Sequence, residues 1–353
     1  MKSKFIKREL LISKIFIIII LLLNYIMMLR NEDLYYSNMA SNNSMRKVNP
    51  IGTIIGLKMY TDGVLVVGMS EVESSDGKIY VPYKESGIKE GDMIIEINNN
   101  KVNKATEVMD LINKSKGQVL KIKYNRNGDI YDTEITPVKI GNGTYMIGLW
   151  IRDAAAGLGT LTYYEERNNS FAALGHGIND VDTNKLFSIS NGELITAKIV
   201  SIVKGERGKV GEIRGIIDDG IQIGKIEKNT EFGVYGLISN KDYINSVKMD
   251  EVIVANRNQI KEGKAKIYCQ LDNNGVKEYE IEIKKIYRSN SSDNKSMLIK
   301  ITDENLLSIT GGIIPGMSGT PIVQDGKFVG AITNVLLNNP TEGYAIFADM
   351  MER

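Results

Sequence analysis

The sequence predicts a mainly β protein in which a small mixed unit precedes a pair of β-barrels. Three observations support this prediction. Apolar runs are short and rich in β-branched residues, and Gly, Asn and Asp separate them at close intervals, as in antiparallel strands joined by turns. Few segments show the three- and four-residue spacing of a long amphipathic helix. A chain of 353 residues is long enough for two folded units after a targeting segment.

The first 30 residues have the features of an export signal. Four basic side chains within the first eight residues precede an apolar stretch from Leu10 to about Leu29. Such a segment directs export with the N-terminus kept inside. No small-x-small cleavage site follows, which favours a retained signal anchor over residues 1–30, and the polar residues 31–50 are predicted to form a tether. The body of the protein is therefore expected outside the cytoplasm.

Composition excludes several classes of function. The 44 basic and 43 acidic side chains nearly balance, and no large basic block follows the first residues, so nucleic-acid binding is not indicated. The single cysteine, Cys269, excludes an internal disulfide and a multi-cysteine metal site, and we expect it to be a small buried hydrophobe. One histidine and no H-E-x-x-H motif leave a metalloenzyme only carboxylate ligands. We therefore expect no metal and no cofactor.

The predicted small unit spans residues 51–140. Strands are expected at 63–68, 92–98 and 120–124, and an amphipathic helix at 106–114. Residues 86–98, S-G-I-K-E-G-D-M-I-I-E-I-N, resemble the PDZ domain family. The resemblance implies binding of a peptide by strand addition, with a carboxylate-binding loop near Ile55, Gly56 and Leu57. The alternative is a PDZ unit that serves only as a spacer.

The predicted larger unit spans residues 144–353. Strand-like runs at 193–203, 220–226 and 280–283 suit β-barrels better than a parallel α/β sheet. A pair of barrels with His176 in the first and Ser318 in the second would bring both side chains to the cleft between them.

A glycine-flanked serine is the strongest chemical signal. Residues 316–321 read G-M-S-G-T-P, a tight turn that can expose one hydroxyl and direct N–H groups at a common point. The G-x-S-x-G elbow of α/β-hydrolases would need glycine where Thr320 stands. A serine nucleophile needs a base with a pKa near neutrality, and His176, the one histidine of the chain, lies between two glycines after an apolar run. The pair predicts acyl-transfer chemistry.

Across nearly its whole length the chain resembles the stage IV sporulation protein B peptidase family of endospore-forming bacteria. The resemblance rests on the signal anchor, the PDZ unit and the segments 159–162 (GTLT), 173–178 (ALGHGI), 228–236 (KNTEFGVYG) and 316–322 (GMSGTPI). It implies a chymotrypsin-like serine endopeptidase exported from the forespore into the space between forespore and mother-cell membranes. Such an enzyme processes itself and cleaves a membrane-bound regulator, which releases an intramembrane protease for late mother-cell transcription.

The resemblance also implies roles for individual residues. Ser318 would be the nucleophile, His176 the general base, and the N–H groups of Gly316 and Ser318 the oxyanion hole. Asp303 matches the acidic residue that orients the histidine in this family. Asp218 and Asp219 are alternatives, because their distance along the chain from His176 is closer to the one found in chymotrypsin-like enzymes. The identity of the third residue therefore stays open at this stage.

The residues around the serine turn bear on substrate preference. Gly312 falls where chymotrypsin-like enzymes place the base of the primary pocket, so no acidic group is offered to a Lys or Arg side chain of the substrate. Residues 330–334 could pair with an extended substrate. The competing hypothesis is a non-catalytic, PDZ-containing binding or scaffold protein of the intermembrane space.

Overall fold

The structure, a computed structural model, describes residues 46–288 and 294–351, and of residues 218–220 only the backbone. The predicted signal anchor and residues 31–45 of the predicted tether lie outside the described residues. The end of the predicted tether needs correction, because residues 47–50 already belong to a strand that begins at Lys47. No helix within the described ranges is long and apolar enough to cross a membrane.

Strands dominate the described chain, which confirms the mainly β prediction. The helices are α1 (Ala105–Lys114), α2 (Lys241–Val247) and α3 (Glu304–Thr310), with 3-10 turns at Arg257–Gln259 and Ala348–Met350. The strands of the first half are β1 (Lys47–Met69), β2 (Val72–Glu73), β3 (Ile79–Tyr80), β4 (Met93–Ile97), β5 (Asn100–Lys101), β6 (Leu120–Arg126), β7 (Asp129–Ile135), β8 (Val138–Lys139), β9 (Tyr145–Met146), β10 (Leu149–Glu165) and β11 (Ser170–Ala173). The strands of the second half are β12 (Asn191–Val203), β13 (Glu212–Thr230), β14 (Gly233–Ile238), β15 (Val252–Val254), β16 (Gly263–Gln270), β17 (Val276–Ile286), β18 (Met297–Ile301), β19 (Pro321–Gln324), β20 (Lys327–Leu336) and β21 (Asn339–Phe347).

The first barrel closes through six antiparallel strands. Going round it, the order is β1, β10, β11, β14, β13 and β12, and β12 pairs with β1 again. Alternating residues of these strands face inward and form one apolar core that includes Leu57, Leu161, Phe171 and Leu194. Closure leaves these strands without an open edge inside the barrel.

The second barrel repeats this architecture. Its order is β16, β17, β18, β21, β20 and β19, and β19 pairs with β16 again. Its core is rich in isoleucine and contains Cys269, which is fully buried. The expectation that Cys269 is a small buried hydrophobe is therefore confirmed, and burial raises the pKa of its thiol to about 12.

An apolar layer joins the two barrels. Tyr163 and Tyr235 from the first barrel pack with Phe328 and Ile346 from the second, and all four are buried. The ring centroids of Tyr163 and Phe328 are 5.4 Å apart in an edge-to-face arrangement. This contact fixes how the two barrels face each other, and so positions the cleft between them.

The PDZ unit is inserted between two strands of the first barrel. Up to Tyr60, β1 pairs with β10 and β12 of the barrel, and further along Val64 and Leu65 pair with β4 of the PDZ unit. The β10 strand returns in the same way, since its first residues pair with β1 between Leu65 and Met69. The barrel therefore takes its first strand from residues that precede the PDZ core. The predicted peptidase unit, residues 144–353, therefore lacks one strand of its own first barrel.

Local signals in the PDZ unit have clear physical counterparts. Helix α1 buries Val108 and Ile112 against the PDZ core, as its amphipathic pattern predicted. Asp92 of the G-D motif is buried and forms two hydrogen bonds of 2.6 Å with Arg126, and it also accepts from the Lys89 N–H at 2.7 Å. These bonds satisfy a carboxylate that would be costly to bury alone.

Candidate active site

The turn that carries Ser318 links α3 to β19 and is held through its carbonyl groups. Gly316 and Gly319 have φ values of 101° and 92°, a conformation that favours glycine. The Pro315 carbonyl accepts a hydrogen bond from the Ile213 N–H at 3.0 Å, and the Gly316 carbonyl accepts one from the Thr160 hydroxyl at 2.8 Å. The carbonyls of the turn therefore point into the protein.

Two N–H groups of the same turn remain free. Met317 donates to the Ile314 carbonyl at 3.0 Å and Gly319 to the Ile332 carbonyl at 2.8 Å. The N–H groups of Gly316 and Ser318 donate to no acceptor among the described residues. The carbonyls that share a peptide with these N–H groups are those of Pro315 and Met317, which accept from the N–H groups of Ile213 and Thr320, each at 3.0 Å. Because a trans peptide directs its N–H opposite its carbonyl, the two free N–H groups point away from these donors. This is the arrangement that an oxyanion hole requires.

The Ser318 side chain is half-buried beside the second barrel. Its hydroxyl donates a hydrogen bond of 2.8 Å to the backbone carbonyl of Thr333 in β20. The Thr333 side chain in turn donates to the Asn294 carbonyl at 3.0 Å. In this arrangement the serine proton is held by a backbone carbonyl, and rotation about the Cα–Cβ bond would release it.

His176 follows β11 at the end of a sharp turn. Leu174 and Gly175 both have φ values of 72°, which turns the chain out of the barrel. The Nδ1 atom of His176 lies 2.8 Å from the Gly177 carbonyl oxygen. Since a carbonyl can only accept, Nδ1 carries the proton and Nε2 is left as the basic atom. Burial lowers the pKa of His176 below its ordinary value, and the contact with Gly177 opposes that shift.

Ser318 and His176 line the same cavity between the barrels, as the sequence predicted. The cavity has a volume of about 380 Å³. The remaining lining residues are Leu57, Met59, Ala155, Ala156, Gly157, Leu158, Leu174, Ile178, Ile313, Ile314, Pro315, Gly316, Thr333, Asn334 and Val335. Among these described lining residues none is acidic or basic besides His176. The cavity therefore offers an apolar wall next to a serine, a histidine and two free N–H groups.

The structure does not bring Asp303 to His176. Asp303 is instead the N-cap of α3, and its carboxylate accepts a hydrogen bond from the Leu306 N–H at 3.0 Å. Within the part of the chain that the structure describes, no carboxylate is hydrogen-bonded or ion-paired to His176. The physical reason is local, because an aspartate followed by E-N-L-L is a strong signal for a helix start. The side chains of Asp218 and Asp219, the alternatives, lie outside the described part of the chain.

Two further expectations need correction. Ile55, Gly56 and Leu57 do not form a carboxylate-binding loop, since they lie within β1 and pair with β10 on one side and β12 on the other. Gly312 does not line the cavity, and a side chain there would overlap the Pro340 carbonyl. The apolar pair Ile313 and Ile314 takes its place in the wall, so the absence of an acidic group holds for a different reason.

Sequence reasoning missed three groups that touch the site. They are the carbonyl of Gly177, the carbonyl of Thr333 and the side chain of Thr160. All three residues lie in segments that the sequence analysis named, 173–178, 330–334 and 159–162, but sequence alone did not indicate that these groups contact the site. Among the described residues no cluster of His, Cys, Asp or Glu is placed to hold a metal ion.

Comparisons with known proteins agree with the two units. Residues 54–136 match the PDZ domain family and residues 143–352 match the SpoIVB peptidase S55 family. A solved PDZ domain of the SdrC-like protein Lmo2051 from Listeria monocytogenes is 29% identical, covers 26% of this chain and 87% of its own, and has a TM-score of 0.21. The HtrA-type protease AlgW with tripeptide is 13% identical over 56% of this chain and 54% of its own, with a TM-score of 0.32. The Rv3671c protease in an inactive form is 8% identical over 55% and 80%, with a TM-score of 0.32.

The peptidase match extends over more than half of the chain and includes both His176 and Ser318. The fold around it is a PDZ unit inserted into a chymotrypsin-like pair of six-stranded barrels. The chain therefore belongs to the SpoIVB peptidase S55 family and is a serine peptidase that carries a PDZ domain.

Proposed function

We propose that this serine peptidase is an exported endopeptidase of endospore formation, with Ser318 as nucleophile and His176 as general base. In this proposal it acts in the space between forespore and mother-cell membranes, anchored at first by its N-terminal segment. It processes itself and cleaves a membrane-bound regulator of an intramembrane protease. Its family and its N-terminal apolar stretch support this assignment.

One observation supports the chemistry above all others. The free N–H groups of Gly316 and Ser318 flank a serine that shares its cavity with the one histidine of the chain. In the reaction the Ser318 hydroxyl leaves the Thr333 carbonyl, and Nε2 of His176 takes its proton as the oxygen attacks the substrate carbonyl. The two N–H groups stabilise the resulting oxyanion, each by about 3 kcal/mol as in comparable sites. His176 then protonates the leaving amine, and water hydrolyses the acyl-enzyme by the same steps.

The Gly177 carbonyl would orient the base in place of a carboxylate. It holds the proton on Nδ1 and so keeps Nε2 available. A neutral carbonyl stabilises the imidazolium less than a carboxylate does, in keeping with the lowered pKa of His176. We therefore propose that Ser318 and His176 act as a catalytic pair, in which the Gly177 carbonyl orients the histidine.

The walls of the cavity suggest how a substrate lies. Asn334 and Val335 in β20 pair with β21 on one side, Thr333 lies at the bulge between Ile332 and Asn334, and all three line the cavity. An extended peptide could pair with this segment and place one apolar side chain against Ile313 and Ile314. A protein substrate is consistent with both the cleft and the PDZ unit.

The test is self-cleavage and active-site labelling of the purified full-length chain in detergent. Wild type and Ser318→Ala are incubated at neutral pH, and fragments are read by intact mass. Ser308→Ala is the matched control, because Ser308 is exposed and donates only to the Asn305 carbonyl. We expect wild type and Ser308→Ala to cleave themselves and to react with a fluorophosphonate, and Ser318→Ala to do neither.

The competing scaffold hypothesis predicts a different result. If folded wild type neither cleaves itself nor reacts with the fluorophosphonate, the catalytic proposal is wrong and the PDZ ligand becomes the question. The biological role needs its own test, in which Ser318→Ala replaces the gene in the source bacterium. Normal late mother-cell transcription in that strain would contradict the proposed role even if the purified enzyme is active.

A further inference from the structure

Thr160 of β10 contacts the serine turn from the opposite barrel. Its side chain is fully buried. Its hydroxyl donates to the Gly316 carbonyl at 2.8 Å, and its backbone N–H donates to the Ser318 carbonyl at 3.1 Å. One residue of the first barrel therefore forms two hydrogen bonds with the serine turn, both across the interface between the barrels.

These two carbonyls stand on either side of the peptide that links Met317 to Ser318. That peptide carries one of the two free N–H groups of the site. Because each peptide unit is planar, holding the carbonyls on both sides limits the rotation of the unit between them. Together with the Met317 carbonyl, which accepts from the Thr320 N–H at 3.0 Å, the Thr160 contacts restrict the orientation of the Ser318 N–H.

Thr160 also holds the histidine side of the site. Its carbonyl accepts a hydrogen bond of 3.2 Å from the N–H of Leu174, two residues before His176. The packing here leaves no spare room, since a methyl group on Gly319 would lie 2.5 Å from both the Leu174 nitrogen and the Thr160 oxygen. Thr160 therefore contacts both the serine turn and residues 174–176, which carry His176.

We propose that Thr160 is a positioning residue of the peptidase, whose hydroxyl holds the oxyanion-binding turn in register with His176. The inference rests on the proposed function of Ser318 and His176. It does not assign Thr160 any contact with the substrate. It predicts that losing the hydroxyl slows acylation and leaves substrate binding nearly unchanged.

The chain provides a matched control two residues along the same strand. Thr162 is as fully buried as Thr160, but its hydroxyl has no hydrogen-bond partner among the described residues. A Thr→Val change removes the hydroxyl and keeps the volume at both positions. The two variants therefore differ in the hydrogen bond to Gly316 and not in burial or side-chain shape.

The experiment compares wild type, Thr160→Val, Thr160→Ser and Thr162→Val as full-length chains in detergent. It measures kcat and KM on an internally quenched peptide, the rate of fluorophosphonate labelling, and the melting temperature. We expect Thr160→Val to lower both kcat and the labelling rate by roughly 10- to 100-fold with KM within about threefold. Thr160→Ser retains the hydroxyl and should recover most of the rate, and Thr162→Val should resemble wild type.

Equal rates for Thr160→Val and Thr162→Val would overturn the inference while wild-type activity upholds the proposed function. A Thr160→Ser variant as slow as Thr160→Val would also overturn it, because shape and not the hydroxyl would then matter. If Thr160→Val does not fold, Thr160→Ser and Thr160→Cys replace it as a pair of similar size that differ in donor strength, and equal rates again contradict the proposal. A folded wild type that resists the fluorophosphonate would instead refute the proposed function itself.

Discussion

The cavity beside Ser318 predicts that this peptidase prefers an apolar side chain on the residue before the scissile bond. Full burial of a leucine side chain is worth about 1.5 to 3 kcal/mol relative to leaving it in water. The cavity of about 380 Å³ can take a leucine, and 1.4 kcal/mol corresponds to a factor of ten. We therefore expect kcat/KM for a leucine peptide to exceed that for the matching glycine peptide by about 10- to 100-fold.

A lysine at the same position should be a poor substrate. The described lining residues include no acidic side chain, so the ammonium group would lose water and gain no partner. The assay uses internally quenched peptides that differ only at this residue and compares kcat/KM for Leu, Gly and Lys. A lysine peptide cut as fast as the leucine peptide would refute the reasoning.

A substitution in the cavity wall tests the same preference for an apolar substrate side chain. Val335 is half-buried at the cavity, so Val335→Ser should lower kcat/KM for the leucine peptide about threefold and leave the glycine peptide nearly unchanged. Val200 is 62% exposed on β12 and does not line the cavity, which makes Val200→Ser the control. Equal losses on both peptides would point to general damage and contradict selection through this wall.

Three other predictions follow from the site. Because burial lowers the pKa of His176, its neutral, active form should persist below pH 6.5, and kcat/KM should fall only as pH drops through that lowered pKa. Stability should begin to fall at higher pH, between 6.5 and the lowered pKa, because over that range the unfolded state binds the proton and the folded state does not. Histidine NMR of this single-histidine chain gives the titration directly, and a midpoint at or above 6.5 would contradict the burial argument. Asp303→Ala should cost about 1 kcal/mol of folding free energy by loss of the α3 N-cap, whereas Asp303→Asn keeps the cap and should keep both stability and activity; a thousandfold loss of kcat in a stable Asp303→Asn would show that the carboxylate acts on His176. Gly319→Ala should abolish activity, because its methyl group would meet the Leu174 nitrogen and the Thr160 oxygen at 2.5 Å and a φ of 92° disfavours alanine; fluorophosphonate labelling at the wild-type rate would be the contrary result.

Local patterns in the sequence were enough for much of this description. The G-D motif and the amphipathic period predicted the PDZ strands and α1, since turns and helices depend on neighbouring residues. The glycines around Ser318 and His176 predicted exposed side chains at sharp turns, because positive φ values need glycine or a constrained neighbour. The resemblance to known peptidases indicated the family.

Contacts between residues that are distant in the chain could not be predicted from local patterns. Asp303 shows the limit of local matching, because its own sequence context makes it a helix cap and no described contact reaches His176. The insertion of the PDZ unit depends on β1 and β10 pairing along both units, and that register cannot be read from either strand alone.

Thr160 is the clearest case of this division. Local composition predicted the serine turn, and Thr160 entered only as part of the G-T-L-T segment that resembles the family. Their hydrogen bond joins positions 156 residues apart, and it exists only because barrel closure and the packing of Tyr163 against Phe328 set the two barrels face to face. Strand register and interface packing are long-range properties, so the geometry that organises this site arises only in the folded chain.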